Sequence, residues 1–165
     1  QDRLIRGGGQ EKGARAGTEG TALIAGFGAA CAAAQATLES EALRLTALRD
    51  EAEAGILKFV PNAVIFGKGV RRLPNTLAFS IPGLSAETAL MAFDLAGLAL
   101  SSGSACSSGK VKRSHVLDAM GVASDIAKGA LRVSFGYSSS HEDVIRFLSA
   151  CEDILRKMKT RTRAA

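Results

Sequence analysis

The chain has no tryptophan, only three prolines, and aromatic residues make up just 5% of it. With so few rings, alanine and the 18 glycines must do much of the packing, so backbones are expected to approach closely in places. Lysine and arginine outnumber aspartate and glutamate 21 to 16, for a net charge of +5. Much of that excess sits at the two ends, in Arg3, Arg6, Lys12 and Arg15 and in Arg156, Lys157, Lys159, Arg161 and Arg163. No aromatic platform or recognition motif lies between those charges, which argues against a nucleic-acid binder. The basic finish reads instead as a solvated helix end that complements the helix dipole. The cysteines, Cys31, Cys106 and Cys151, are odd in number, widely spaced and without a CxxC pair. That pattern argues against a zinc site or a disulfide framework and fits a reducing, cytoplasmic setting best. No stretch reads as a signal peptide or a membrane-length apolar run. No GK[ST] follows Gly7–Gly9, so they form no P-loop. There is no internal repeat, and a chain of 165 residues without an initiator methionine is expected to be one domain, as a fragment or processed piece.

What is present has a clear order. Residues 1–20 are Gly-rich and polar and read as loop. Residues 21–58 read as one long or kinked helix, with Leu23, Ile24 and Phe27 opening an apolar pattern that Leu38, Leu45, Leu48, Ile56 and Leu57 continue. Pro61-Asn62 breaks it. Short strands are predicted at Ala63–Phe66, at Thr76–Ile81, at Leu98–Leu100 and at Ala130–Phe135. Ser85 reads as the N-cap of a helix to about Ala96, and a short helix spans 113–120, ended by Gly121. Ser140 and Asp143 form a capping box for a last helix with Val144, Phe147, Leu148, Cys151 and Leu155 along one face. The sum is an α/β or α+β arrangement, with helices packed on a small sheet.

One cysteine stands apart. Cys106 lies in SSGSACSSG, residues 101–109, where neighbours have little bulk and the backbone is free to expose N–H groups. Lys110, Lys112 and Arg113 follow and would favour thiolate. From these residues alone, a reactive thiol and an inert loop cysteine both remain open. Cys31, in an Ala-rich helix, and Cys151, on an apolar stripe, read as core cysteines. His115 lies nine residues after Cys106 but makes no hydrolase dyad by itself, and His141, in the first turn of the last helix, reads as solvated.

Three segments together resemble one family. SSGSACSSG is similar to the active-site loop of the cysteine desulfurases. RGGGQEKGARAGTEG, residues 6–20, resembles the same family's GGGQE-x-G-x-R-x-GT segment, and LRVSFG, residues 131–136, resembles its strand carrying a substrate-binding arginine. NTLAFS, residues 75–80, also fits a family strand. The order and spacing agree over nearly the whole chain.

The resemblance implies the C-terminal portion of a fold-type I pyridoxal-phosphate enzyme, normally a homodimer. Residues 1–20 would belong to its large cofactor domain, and 21–165 to a small domain with a mostly antiparallel sheet and a cysteine loop at 101–112. It implies that Cys106 takes sulfur from L-cysteine as a persulfide, releasing alanine, and passes it to an iron–sulfur scaffold protein. It implies that Arg132 grips the substrate carboxylate, for which a planar fork is suited. It also implies that Thr18 reaches the phosphate of pyridoxal 5'-phosphate in a neighbouring subunit, with Arg15 supporting the segment. From the residues alone, Thr18 could instead cap the helix that follows. The lysine that holds the cofactor covalently lies upstream of the glycine segment in that family. Lys12, Lys68 and Lys110 do not match it, so the isolated chain is expected to be inactive. A selenocysteine lyase or cysteine sulfinate desulfinase, a sulfur-relay or scaffold-docking module without catalysis, and a redox thiol protein are the competing readings.

Overall fold

The computed structural model describes residues 3, 5–103 and 114–163, excluding the side chains of 159–163. These form two compact units, Gln1–Glu39 and Ser40–Ala165.

In the first unit the glycine segment makes a tight turn. Glu11 and Lys12 both adopt left-handed backbone, at φ 51° and 57°. Arg15 ties the turn together. Its guanidinium pairs with Glu11 at 2.9 Å and donates to the Gly17 carbonyl at 2.9 Å. The Ala16 N–H donates to the Ile5 carbonyl at 3.2 Å. The helix α1, Thr21–Phe59, then begins and runs without interruption through both units. Its residues 21–39 are exposed throughout.

The second unit holds the sheet. Its strands are β1 (Val64–Ile65), β2 (Thr76–Ser80), β3 (Ser101–Ser102) and β4 (Ala130–Ser134). Their order is β1-β2-β4-β3 and every pairing is antiparallel. The helices are α2 (Ala86–Leu95), α3 (His115–Ala119), α4 (Ser124–Lys128) and α5 (His141–Arg163). Because side chains alternate along a strand, Leu77, Phe79, Leu131 and Val133 share one face. That face joins the main core with Leu48, Ala52 and Ile56 of α1, Phe93 of α2, and Val144, Phe147 and Cys151 of α5. Phe147 stacks on Phe93 at 5.7 Å and meets Phe79 edge-on at 6.2 Å. The opposite face carries a smaller cluster, Phe66, Leu117 and Ala130, with Ala78 and Ile126 beside it.

Polar residues hold the elements in register. Ser85 caps α2 by accepting from the Thr88 N–H. Asp143 accepts from the Ser140 N–H at 2.9 Å, and the Asp143 N–H reaches the Ser140 hydroxyl at 3.4 Å. Arg44 of α1 donates to the carbonyls of Gly136, Tyr137 and Ser139, and to both oxygens of Glu41. That hydrogen bonding lowers the Glu41 pKa and raises that of Arg44. The turn from β4 to α5 is thus fastened to α1.

Several expectations are corrected. The apolar run Leu98–Leu100 is not a strand; pairing starts at Ser101. The turn after α2, with Gly97 at φ 74° and the Leu98 N–H bonded to the Phe93 carbonyl, uses those residues first. Helix α4 was not expected. Cys31 is exposed rather than core, because the half of α1 that carries it is uncovered. His141 is not merely solvated: its Nδ1 lies 2.9 Å from Glu51. Finally, α1 contains an apolar run of membrane-spanning length, with a mean hydropathy of 1.5 over eighteen residues.

Candidate functional site

Arg132 is the centre of β4, in register with Ala78 on β2 and Ser101 on β3. It faces away from the main core and is exposed. Both strand neighbours are small, so nothing bulky flanks the guanidinium across the sheet. Among the described residues its side chain makes no hydrogen bond or ion pair. An arginine left free on a sheet face is available for an anionic ligand.

The same face explains how the cysteine segment is tethered. Ala130 precedes Arg132 by two residues, about 7 Å along the strand, and points to the same side. Leu117 of α3 packs on it. Gly103 continues β3, donating its N–H to the Ala130 carbonyl at 2.8 Å. A β-carbon there would stand 2.7 Å from the Ala130 Cβ and 3.3 Å from the Leu117 Cδ1, so glycine is required for this approach. At the other end Ser114, buried, caps α3 through the Leu117 N–H. Residues 103 and 114 are therefore both held on the face that carries Arg132. Cys106, with the rest of 104–113, lies outside the described residues. It stands three residues after Gly103 in the chain.

Thr18 belongs to the first unit. It is exposed, and its hydroxyl makes no hydrogen bond among the described residues, so it does not cap α1. Gly17 before it has φ 96°, a backbone that favours glycine. Arg15 holds the Gly17 carbonyl and so supports the segment, as expected. Nearby, Gln10 Oε1 is buried without a partner.

The other cysteines separate cleanly. Cys151 is buried, and burial pushes its thiol up to about 12, which leaves it protonated and unreactive. Cys31 is exposed on α1. His115 is exposed at the start of α3. Sequence reasoning missed the role of Gly103 and Ser114 as anchors; the Ser/Gly composition of 101–109 hid which residues pair with β4.

Comparison with known proteins completes the picture. The family described as Aminotransferase class-V matches residues 7–147. A protein named cysteine desulfurase from Gluconacetobacter diazotrophicus is 43% identical over 156 residues, covering 94% of this chain and 39% of that protein. Cysteine desulfurase NifS of Azotobacter vinelandii is 40% identical over 94% of this chain and 39% of its own length. The solved structure of a NifS-like protein from Rickettsia africae aligns with a TM-score of 0.78 at 37% identity, over 94% of this chain and 40% of that one. The chain thus spans about two fifths of the length of the relatives it matches.

Proposed function

This chain belongs to the aminotransferase class-V family, and on that premise we propose that it is the sulfur-accepting portion of a cysteine desulfurase, working in a reducing cytoplasm. The observation that carries this reading is the unengaged Arg132 on the sheet face where both anchors of the Cys106 segment are held. One face then offers a carboxylate grip and the tether of a thiol.

The residues present suit a bound pyridoxal 5'-phosphate in part. Thr18 has a free, exposed hydroxyl beside a left-handed glycine, which is the chemistry of a phosphate contact. When bound, the cofactor supplies an electron sink for the carbon that loses sulfur. Arg132 holds the α-carboxylate of L-cysteine by a forked pair of hydrogen bonds. The Cys106 thiolate attacks the substrate sulfur. A sulfur–sulfur bond forms and the substrate's carbon–sulfur bond breaks. The carbon keeps the electron pair and takes a proton, leaving alanine. The persulfide on Cys106 is then donated to an acceptor, as an iron–sulfur scaffold protein would require. As the resemblance implies, Thr18 would reach the cofactor phosphate of a homodimer partner.

Mass spectrometry after exposure to a low-molecular-weight persulfide donor tests the carrier role. Cys106 is expected to gain one sulfur, while exposed Cys31 remains largely unmodified and buried Cys151 gains none. Sulfur on Cys31 in preference to Cys106 would overturn the reading. The chain alone is expected to release no alanine from L-cysteine and to give no visible-range cofactor band, because none of its lysines matches the one the family uses.

A further inference from the structure

Helices α2 and α5 lie side by side on the main core, and their contacts fix their relative direction. Phe93 stacks on Phe147 at 5.7 Å, and a β-carbon at Gly97 would stand 3.9 Å from the Arg146 guanidinium. The late residues of α2 thus meet the early residues of α5, so the two helices run antiparallel. Beside the stacked rings the seam is not filled. Ala92 and Ala96 of α2 and Ala150 of α5 line a cavity of about 400 Å³ between the helices. Alanine is a strong helix former but too small to close that space. Small-molecule sites commonly enclose about 300–1,000 Å³. Ile154, buried, and Met158, half-buried, line the α5 side, and Leu95, 89% exposed, stands at the rim.

The cavity offers little to hydrogen-bond. Most of its backbone groups belong to helix interiors, and the Thr88 oxygen already accepts from the Ser85 hydroxyl at 2.9 Å. An extended peptide laid there would leave its own backbone groups unpaired. Charge gathers toward one end. The antiparallel order brings Lys157 and Thr88 to the same end, that of the first turn of α2, and Ala96 and Ala150 to the other. Among the described residues Lys157 makes no hydrogen bond or ion pair. Asp153 also lines the cavity, but its carboxylate is taken by Arg156 at 2.6 Å. Glu87 shares the first turn of α2 but lies outside the lining. The free charge facing the cavity is therefore positive, and the amino end of α2 adds to it.

We propose that the groove between α2 and α5 binds a straight-chain carboxylate of medium length. The alkyl chain lies along Ala92, Ala96 and Ala150, and the carboxylate meets the Lys157 ammonium. From Thr88 to Ala96 the helix rises about 12 Å, which is the length such a chain must fit. The groove lies on the main-core side of the sheet, whereas Arg132 faces the other way. The proposal therefore stands independently of the desulfurase reading.

Calorimetric titration of the full 165-residue chain with decanoate tests it, with butanoate, decanol and decyltrimethylammonium as comparisons. Decanoate is expected to bind at least tenfold more tightly than decanol or decyltrimethylammonium, and butanoate to give no measurable heat, because most of the affinity comes from buried methylenes. Ala150→Leu fills the cavity and is expected to weaken decanoate at least tenfold. Lys157→Gln is expected to bring decanoate down to the level of decanol while leaving decanol unchanged. In the unsubstituted protein with isotope-labelled methionine methyls, decanoate is expected to shift the NMR signal of Met158, in the lining, and to leave that of Met120, at the end of α3, in place. This last readout does not depend on any variant folding. A Met158 signal that stays put under saturating decanoate would overturn the proposal. So would decyltrimethylammonium or decanol binding as tightly as decanoate, or an Ala150→Leu chain, melting like the parent, that keeps full affinity. A dimer in sedimentation velocity that Ala150→Leu breaks would assign the groove to a second copy of the chain and overturn it as well.

Discussion

Gly103→Ala puts the contact between β3 and β4 to a quantitative test. The new β-carbon would sit 2.7 Å from the Ala130 Cβ and 3.3 Å from the Leu117 Cδ1. The first contact is with a methyl fixed to a strand backbone, which cannot rotate away. The strands or α3 must therefore separate by about 1 Å, and overpacking of this kind costs about 1–3 kcal/mol. Alanine's smaller unfolded-state entropy offsets about 0.4–1 kcal/mol of that. The net loss is about 1–2 kcal/mol, or a Tm lower by about 2–8 °C in a chain of this size. Thermal melts followed by circular dichroism read the global effect. Amide exchange at residue 103, whose N–H is bonded to the Ala130 carbonyl at 2.8 Å, reads the local one. Adding Ala130→Gly removes the closest clash, so the double mutant should show coupling of more than about 0.5 kcal/mol. Gly69→Ala serves as the control, because a β-carbon there meets nothing within 4 Å. A Gly103→Ala protein that melts with the parent, or an absent coupling, would refute the argument that this glycine is required by close packing.

Two further outcomes are expected. Phe147→Ala removes a side chain that is 3% exposed and touches two other rings, and should cost about 3–5 kcal/mol by urea denaturation. Cys151 gives a pH dependence whose sign follows from burial: its thiol stays protonated in the folded chain up to about 12, whereas the unfolded thiol ionises near 9. Its contribution is fully present below pH 9 and is lost as pH climbs toward 12, by at most about 1.4 kcal/mol per unit. Denaturation of the parent and of Cys151→Ala at pH 8 and pH 10.5 should show the parent losing more; equal losses would sink the claim.

Where local chemistry decides the backbone, the residues were readable in advance. Ser85 and Ser140 declare helix starts because their hydroxyls satisfy orphan N–H groups at the N-terminus. The alternation in Thr76–Ser80 and in Ala130–Ser134 declares strands because one face is buried. Arg132 was legible only through the resemblance, which implies a substrate-binding arginine on that strand. What failed depended on partners distant in sequence. Leu98–Leu100 has the apolar character of a strand, but β4 offers its register to Ser101 and Ser102 instead. Helix α4 is five residues long and its N-cap is an alanine, so it carries no starting signal. Cys31 sits on a periodic apolar stripe, and periodicity tells which residues share a side without telling whether anything lies against it. The membrane-length run was overlooked because alanine and glycine read as helix filling rather than as sustained hydropathy. Cys106, the focus of the sequence argument, lies outside the described residues; its anchors at Gly103 and Ser114 are what the fold adds.

The clamp by which Arg44 grips Gly136, Tyr137 and Ser139 spans more than ninety residues of chain. Together with Phe147, it means that the main core is closed by a helix synthesised after the whole sheet. A ribosome that has released the chain only as far as Ser140 has delivered Phe79 and Phe93 without the ring that packs against both. Folding of the unit Ser40–Ala165 must then wait for α5, and it proceeds through distant pairings, which are slow to form. During that interval the apolar side of the sheet lacks the cover of Val144, Phe147 and Cys151, so a nascent chain of this kind depends on shielding until α5 arrives.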